Sequence, residues 1–284
     1  MGTIAIVCDS GCDVPVDLCA QLGIVIVPLS IRFGAEEFTD RVTITNEEFW
    51  QRCATSPTLP ETSAPSPGSY VEAFTRAIAD GATGIVVLCL SADLSASYQS
   101  ATVAATMVSA VPIEVIDTRA VSMAQGLLAI DAAEAARDGA SMDDVVARVR
   151  AAIPKIGVYA MLDTLEHLIK GGRIGGARAL IGQVLAIKPV LRLHDGRVDE
   201  AGRERTATKA LRRVAAEASA HAPLARLALF HASSPHLETL LTLIAAIDVT
   251  HPVVVADIGP TIGTHGGPGI IGLAWLEAEA NEHG

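Results

Sequence analysis

The stretch Ile85–Ala101, IVVLCLSADLSASYQSA, decides the fold. Six apolar residues run without a break, and the next ten hold four serines and an aspartate. An unbroken apolar run of this length reads as a strand covered on both faces, and the hydroxyls after it read as the start of a helix. Strands covered on both faces belong to parallel sheets flanked by helices. Working outward, similar runs occur at Thr3–Cys8, Ile24–Val27 and Ile113–Ile116. Helical patterns separate them at Pro15–Leu22, Asn46–Ala54, Pro67–Asp80, Ser95–Ala110, Ala120–Asp138 and Met142–Ile153. Strands alternating with helices predict βαβ units.

The pattern breaks near Ile153-Pro154, because proline ends a helix. This predicts an N-terminal α/β domain over residues 1–154, with a mostly parallel sheet and flanking helices. A second, mixed α/β domain is predicted over residues 155–284. Its expected strands are Gly157–Met161, Ile187–Leu193, Arg197–Glu200, Arg226–His231, Val253–Asp257 and Ile270–Trp275. Asp195-Gly196 reads as a two-residue hairpin turn.

The 284 residues are 50% hydrophobic but only 4% aromatic, so the core is aliphatic, and a surplus of aliphatic residues can also line an apolar pocket. A net charge of −11 argues against nucleic acid and anionic membranes as main partners. No apolar run reaches transmembrane length, so no stable membrane insertion is expected. The opening MGTIAIVCDSGCD has no basic leader region and reads as a first strand, so a cytoplasmic protein is expected. Five cysteines with no CxxC predict free thiols and no metal site.

GxxxxGK[ST], HExxH and GxSxG are absent. What remains are polar clusters at strand ends. Asp9-Ser10 follows the first strand. Thr62 and Ser63 precede two prolines, which hold the backbone before them extended. Ser91, Asp93 and Ser95 stand at a helix start, where they either cap the helix or help its free amides hold an anion. Gly259–Gly269 carries five glycines around His265 and reads as a loop. Arg173, in Lys170-Gly-Gly-Arg173, places positive charge in an acidic chain.

These segments, in this order, resemble the DegV family of bacterial fatty-acid-binding proteins. The matching stretches are CDSGCDVP, GIVIVPLSIRFG, TSAPSPGSY, LSADLSASYQSA, IDTRAVSMAQGLLA, LEHLIKGGRIGG, IGQVLAIKPVL and GPTIGTHGGPG. The chain departs from the usual pattern at Ala64, Ala92, Asp93, Ala96 and Ser97. The resemblance implies one long-chain fatty acid, such as palmitate, bound between the domains, with no cofactor and no catalysis. It implies Thr62 and Ser95 as carboxylate ligands, and His265 and Arg205 in the polar network behind them. It also implies presentation of the acid to a fatty acid kinase, with Arg173 on the docking surface. The competing expectation is a hydrolase or acyltransferase with Ser95 as nucleophile and His265 as base, which lacks a recognisable third, orienting group.

Overall fold

The computed structural model describes residues 2–180 and 187–278. Residues 181–186, the first part of the stretch IGQVLAIKPVL, lie outside the described residues.

Four strands form a parallel sheet in the order β2-β1-β6-β7: β1 (Thr3–Asp9), β2 (Val25–Val27), β6 (Ala82–Cys89) and β7 (Ile113–Asp117). In β6, Val86 and Leu88 pack into one core while Ile85, Val87 and Cys89 pack into another. That two-sided burial is the reason the run is continuously apolar. Helices α3 (Pro67–Ala79) and α4 (Ser97–Met107) cover one face. On the other face lie α1 (Val16–Leu22), α5 (Met123–Arg137) and α6 (Met142–Ala152).

The second sheet is mixed and six-stranded, in the order β10-β9-β8-β13-β11-β12. Its strands are β8 (Ile156–Met161), β9 (Lys188–His194), β10 (Arg197–Glu204), β11 (Leu224–His231), β12 (Val254–Asp257) and β13 (Ile271–Glu277). Helices α8 (Ala207–Ala220) and α9 (Leu237–Ile244) cover its outer face. Asp195 and Gly196 both have positive φ, as a tight two-residue turn between β9 and β10 requires.

Helix α5 lies between the two sheets, touching β1 and β6 on one side and β8, β11 and β13 on the other. It is buried on every side through its first eleven residues, which is why its sequence shows no amphipathic stripe. The strands partition near residue 154, but the central core draws residues from both halves. Arg226 on β11 is tied to Asp131 and Glu134 of α5, and Arg148 of α6 joins at Asp131.

Two features depart from the reading of the sequence. A small antiparallel sheet, β4-β3-β5, is formed by β3 (Ser30–Phe33), β4 (Glu36–Thr39) and β5 (Glu61–Ser63). Strand β5 sets Thr62 opposite Ile31 and ends just before Ala64, whose backbone Pro65 holds extended. Helix α2 (Asn46–Thr55), held by a complete capping box at Thr45 and Glu48, packs beside this sheet. The glycine-rich loop expected around His265 is instead a short helix, α10 (Pro260–Gly266). Pro260 sits at its first turn, and a Cβ on Gly263 would lie 2.8 Å from the Phe49 and Trp50 rings. Glycine there serves close packing rather than backbone freedom. No described helix is long and apolar enough to cross a membrane.

Candidate functional site

Between the layers lies a cavity of about 1070 Å³ of atom-free space, mouth included. Leu29, Leu90 and Leu94 of the first half face Val158, Leu191 and Phe230 of the second across it. The lining is mostly aliphatic. An elongated apolar molecule suits such walls.

One part of the wall is polar and collects Thr62, Ser95, Arg173 and His265 from four separate segments. Thr62 Oγ1 lies 2.8 Å from His265 Nε2, bringing β5 and α10 together. His265 Nδ1 is buried without a partner, because it lies over Gly171 at the end of α7 (Glu166–Lys170). A Cβ on Gly171 would come within 2.3 Å of that nitrogen. Burial, the Arg173 charge and His167 together push His265 down to about 4, so its ring is neutral at neutral pH. With no acceptor for an Nδ1 proton, the proton belongs on Nε2, where it is donated to Thr62 Oγ1. The Thr62 hydroxyl proton is then free for an acceptor in the cavity.

Ser95 supports the helix start and also stands in the cavity wall. Its Oγ accepts from Ser97 N at 3.2 Å and lies 3.0 Å from Ser97 Oγ, while the residue also lines the cavity. Ala96, at the N-cap of α4, gives no side-chain cap, so the first turn presents its amides with only this help. Ser91 and Asp93 remain structural. Ser91 Oγ donates to Gly196 O at 2.6 Å, and Asp93 pairs with Arg197 at 2.8 Å.

Arg173 is only partly exposed. It is half-buried in the cavity wall, donating from Nε to Leu94 O at 3.0 Å and from Nη1 to Gly171 O at 2.5 Å. Both partners are carbonyls, and no carboxylate of the described residues pairs with its charge. Arg205 does not join this cluster. It is exposed at the junction of β10 and α8, outside the cavity lining, because β10 carries the chain away from the cavity before it.

Sequence reasoning missed two cavity-lining hydroxyls, Ser122 and Thr261. Ser122 donates to Asp13 Oδ2 at 2.6 Å, and Thr261 donates to Asp40. Asp13 Oδ1 also accepts from Gly259 N at 2.9 Å, so this buried acid joins the two halves behind the cavity. Burial raises Asp13 to about 7 and Asp9 to about 6. Thr261 stands four residues before His265, a spacing that reveals a shared face only once the segment is known to be helical. No cluster of metal-ligating side chains occurs among the described residues, and all five cysteines are unpaired.

A family model described as "Uncharacterised protein, DegV family" matches residues 3–278. The chain belongs to the DegV family. A DegV domain-containing protein of Streptomyces coelicolor is 35% identical over 275 residues, covering 95% of this chain and 97% of that one. A Thermus thermophilus DegV family structure, described by its fatty acid binding, superposes with a TM-score of 0.89 at 32% identity, covering 97% and 100% of the two chains. DegV of Bacillus subtilis, described as a fatty acid binding protein, gives 0.87 at 28% identity, covering 98% and 100%.

Proposed function

We propose that this chain is a non-catalytic carrier of a long-chain fatty acid. The acyl tail occupies the aliphatic cavity, and the carboxylate meets Ser95, Thr62 and Arg173. The observation that carries the reading is an arginine with no acid partner among the described residues, beside two hydroxyls and a helix start, on the wall of a mostly apolar cavity. The fatty acid binding described for the Thermus thermophilus and Bacillus subtilis relatives supports it.

Magnitudes divide the labour. At about 0.8 kcal/mol per buried methylene, about fourteen methylenes offer on the order of 10 kcal/mol. Each hydrogen bond to the charged head nets roughly 1.5–3 kcal/mol. The tail therefore holds the ligand, and the polar pole fixes its direction. Thr62, Ser95 and Arg173 are all only partly buried, so the carboxylate end is reachable from solvent. That exposure supports the further reading that the acid is presented to a partner such as a fatty acid kinase, with Arg173 near the point of contact.

The hydrolase reading lacks its dyad. His265 Nε2 bonds Thr62 rather than Ser95, and Ser95 Oγ is engaged by Ser97. A ring pushed down to about 4 is also a weak general base.

Mass spectrometry of lipid extracted from the purified protein tests the proposal, followed by binding of palmitate and hexadecanol to the delipidated chain. Co-purifying C14–C18 acid is expected, with hexadecanol bound at least tenfold more weakly than palmitate. Delipidated protein that takes up no fatty acid overturns the carrier. Turnover of an acyl ester, abolished in Ser95→Ala, would install the enzyme in its place.

A further inference from the structure

The β9–β10 hairpin is both a wall of the cavity and the seat of a cross-molecule clasp. Leu191, Leu193 and Val198 of its strands line the cavity, and its turn is gripped by three side chains of the first half. Arg119 donates to Asp195 O, Ser91 donates to Gly196 O at 2.6 Å, and Asp93 Oδ1 accepts from Arg197 Nε and Nη2 at 3.0 and 2.8 Å. Three consecutive turn residues are thus held by three N-terminal residues. A Cβ on Gly196 would meet Ser91 Oγ at 2.6 Å, Asp93 Oδ2 at 3.3 Å and the Arg119 guanidinium carbon at 3.5 Å, so the turn is packed as well as hydrogen-bonded. Arg119 keeps a positive φ of 51°, unusual for a residue with a side chain, where it reaches the turn. Ser91 and Asp93 belong to the loop that ends in Ser95, and Leu94 and Ser95 themselves line the cavity. The same few residues therefore close the wall and locate the proposed carboxylate ligand.

We infer that the Asp93–Arg197 pair, acting with Ser91 and Arg119 on the hairpin turn, is a positioning device that holds the hairpin wall of the cavity against the loop at 91–95 and sets the rate at which the acid leaves. This rests on the fatty-acid reading above. Two strands and a loop cannot separate to release a long tail while the three grips hold. Of the three, only the ion pair joins two full charges, and it is exposed, with Arg197 71% and Asp93 29% accessible. It is therefore the grip that salt and mutation loosen first.

Stopped-flow release of cis-parinaric acid, a fluorescent C18 acid, reads the clasp in the full chain. Asp93→Asn and Arg197→Gln are each expected to speed release roughly two- to fivefold at 20 mM NaCl. The difference from the parent should collapse at 500 mM, and the exchanged pair Asp93→Arg with Arg197→Asp should recover at least half of the loss. Amide exchange of the empty protein should show lost protection at residues 91–95 and 195–199 in both single variants, with the melting temperature moving little. Unchanged release in both variants, or an exchanged pair no slower than either, overturns the clasp. A parent chain that takes up no cis-parinaric acid overturns the carrier and the release role with it. Amide exchange then still shows whether the grip itself exists, and unaltered protection in the single variants denies it.

Discussion

Ser95 and Thr62 illustrate how much a single hydroxyl depends on its neighbours. Ser95 accepts from the amide two residues on, a local act that any serine near a helix start performs. What separates it from Ser91 is its place in the cavity wall, which the chain's path decides. Ser95→Ala is expected to weaken palmitate roughly tenfold, from a lost charge-assisted contact of about 1.5 kcal/mol, without emptying the cavity. Titration calorimetry reads the loss, and mass spectrometry of the extracted lipid reads the retained occupancy. Gly171 gives a sharper residue-level prediction. Its φ of −71° suits any residue, so Gly171→Ala carries no backbone strain and acts only through the Cβ that would meet His265 at 2.3 Å. Displacing that ring breaks its bond to Thr62, and palmitate affinity should fall at least as far as in Thr62→Val. A variant that binds as tightly as the parent, with an unmoved His265 resonance, would deny the ring its role.

At the scale of elements, legibility followed the source of each signal. Strands β1 and β6 and helix α6 were readable because their signals are local: apolar runs, and for α6 a capping box at Ser141 and Asp144. The hairpin turn was readable because Asp-Gly supplies two positive φ angles. Gly196 carries both that angle, 76°, and the approach of Ser91. Gly196→Ala should therefore cost about 1–3 kcal/mol, measured by urea unfolding with unchanged m-value. Helix α10 was not readable. Its glycines signal a loop, and only the rings of Phe49 and Trp50, more than two hundred residues earlier, explain the glycine at 263. Strand β5 was hidden for a related reason, since its partner β3 makes it a strand. Arg205, implied by the family pattern, stands exposed outside the cavity lining, a placement its own segment does not signal.

For the whole molecule, the consequential feature is the layer shared by both halves. Helix α5 belongs to both sheets, and Asp13 and Asp40 tie the first half to the start of α10. These acids make stability depend on pH in a fixed direction. Burial raises Asp13 from 3.8 to about 7, so the unfolded chain loses its proton first and stability falls as pH rises between those values. Asp9, raised to about 6, adds to the same slope. Asp13→Asn keeps an acceptor for Gly259 N without the charge. Its stability relative to the parent should grow by a few kcal/mol from pH 4 to pH 7, read by urea unfolding across that range. A difference independent of pH would show that Asp13 does not titrate in the fold.

The sequence by itself determined the strands of the parallel sheet, the tight hairpin and the family pattern that singles out Thr62, Ser95 and His265. Those signals are periodicity, turn chemistry and short motifs, all carried by residues near one another in the chain. Tertiary structure alone decided that Arg173 faces the cavity while Arg205 faces water. It alone placed Ser122 and Thr261 on buried acids, and turned Asp93 toward Arg197, 104 residues away. The physical reason is that a charge or hydroxyl acquires its role from the partner it meets, and here those partners come from the other half of the chain.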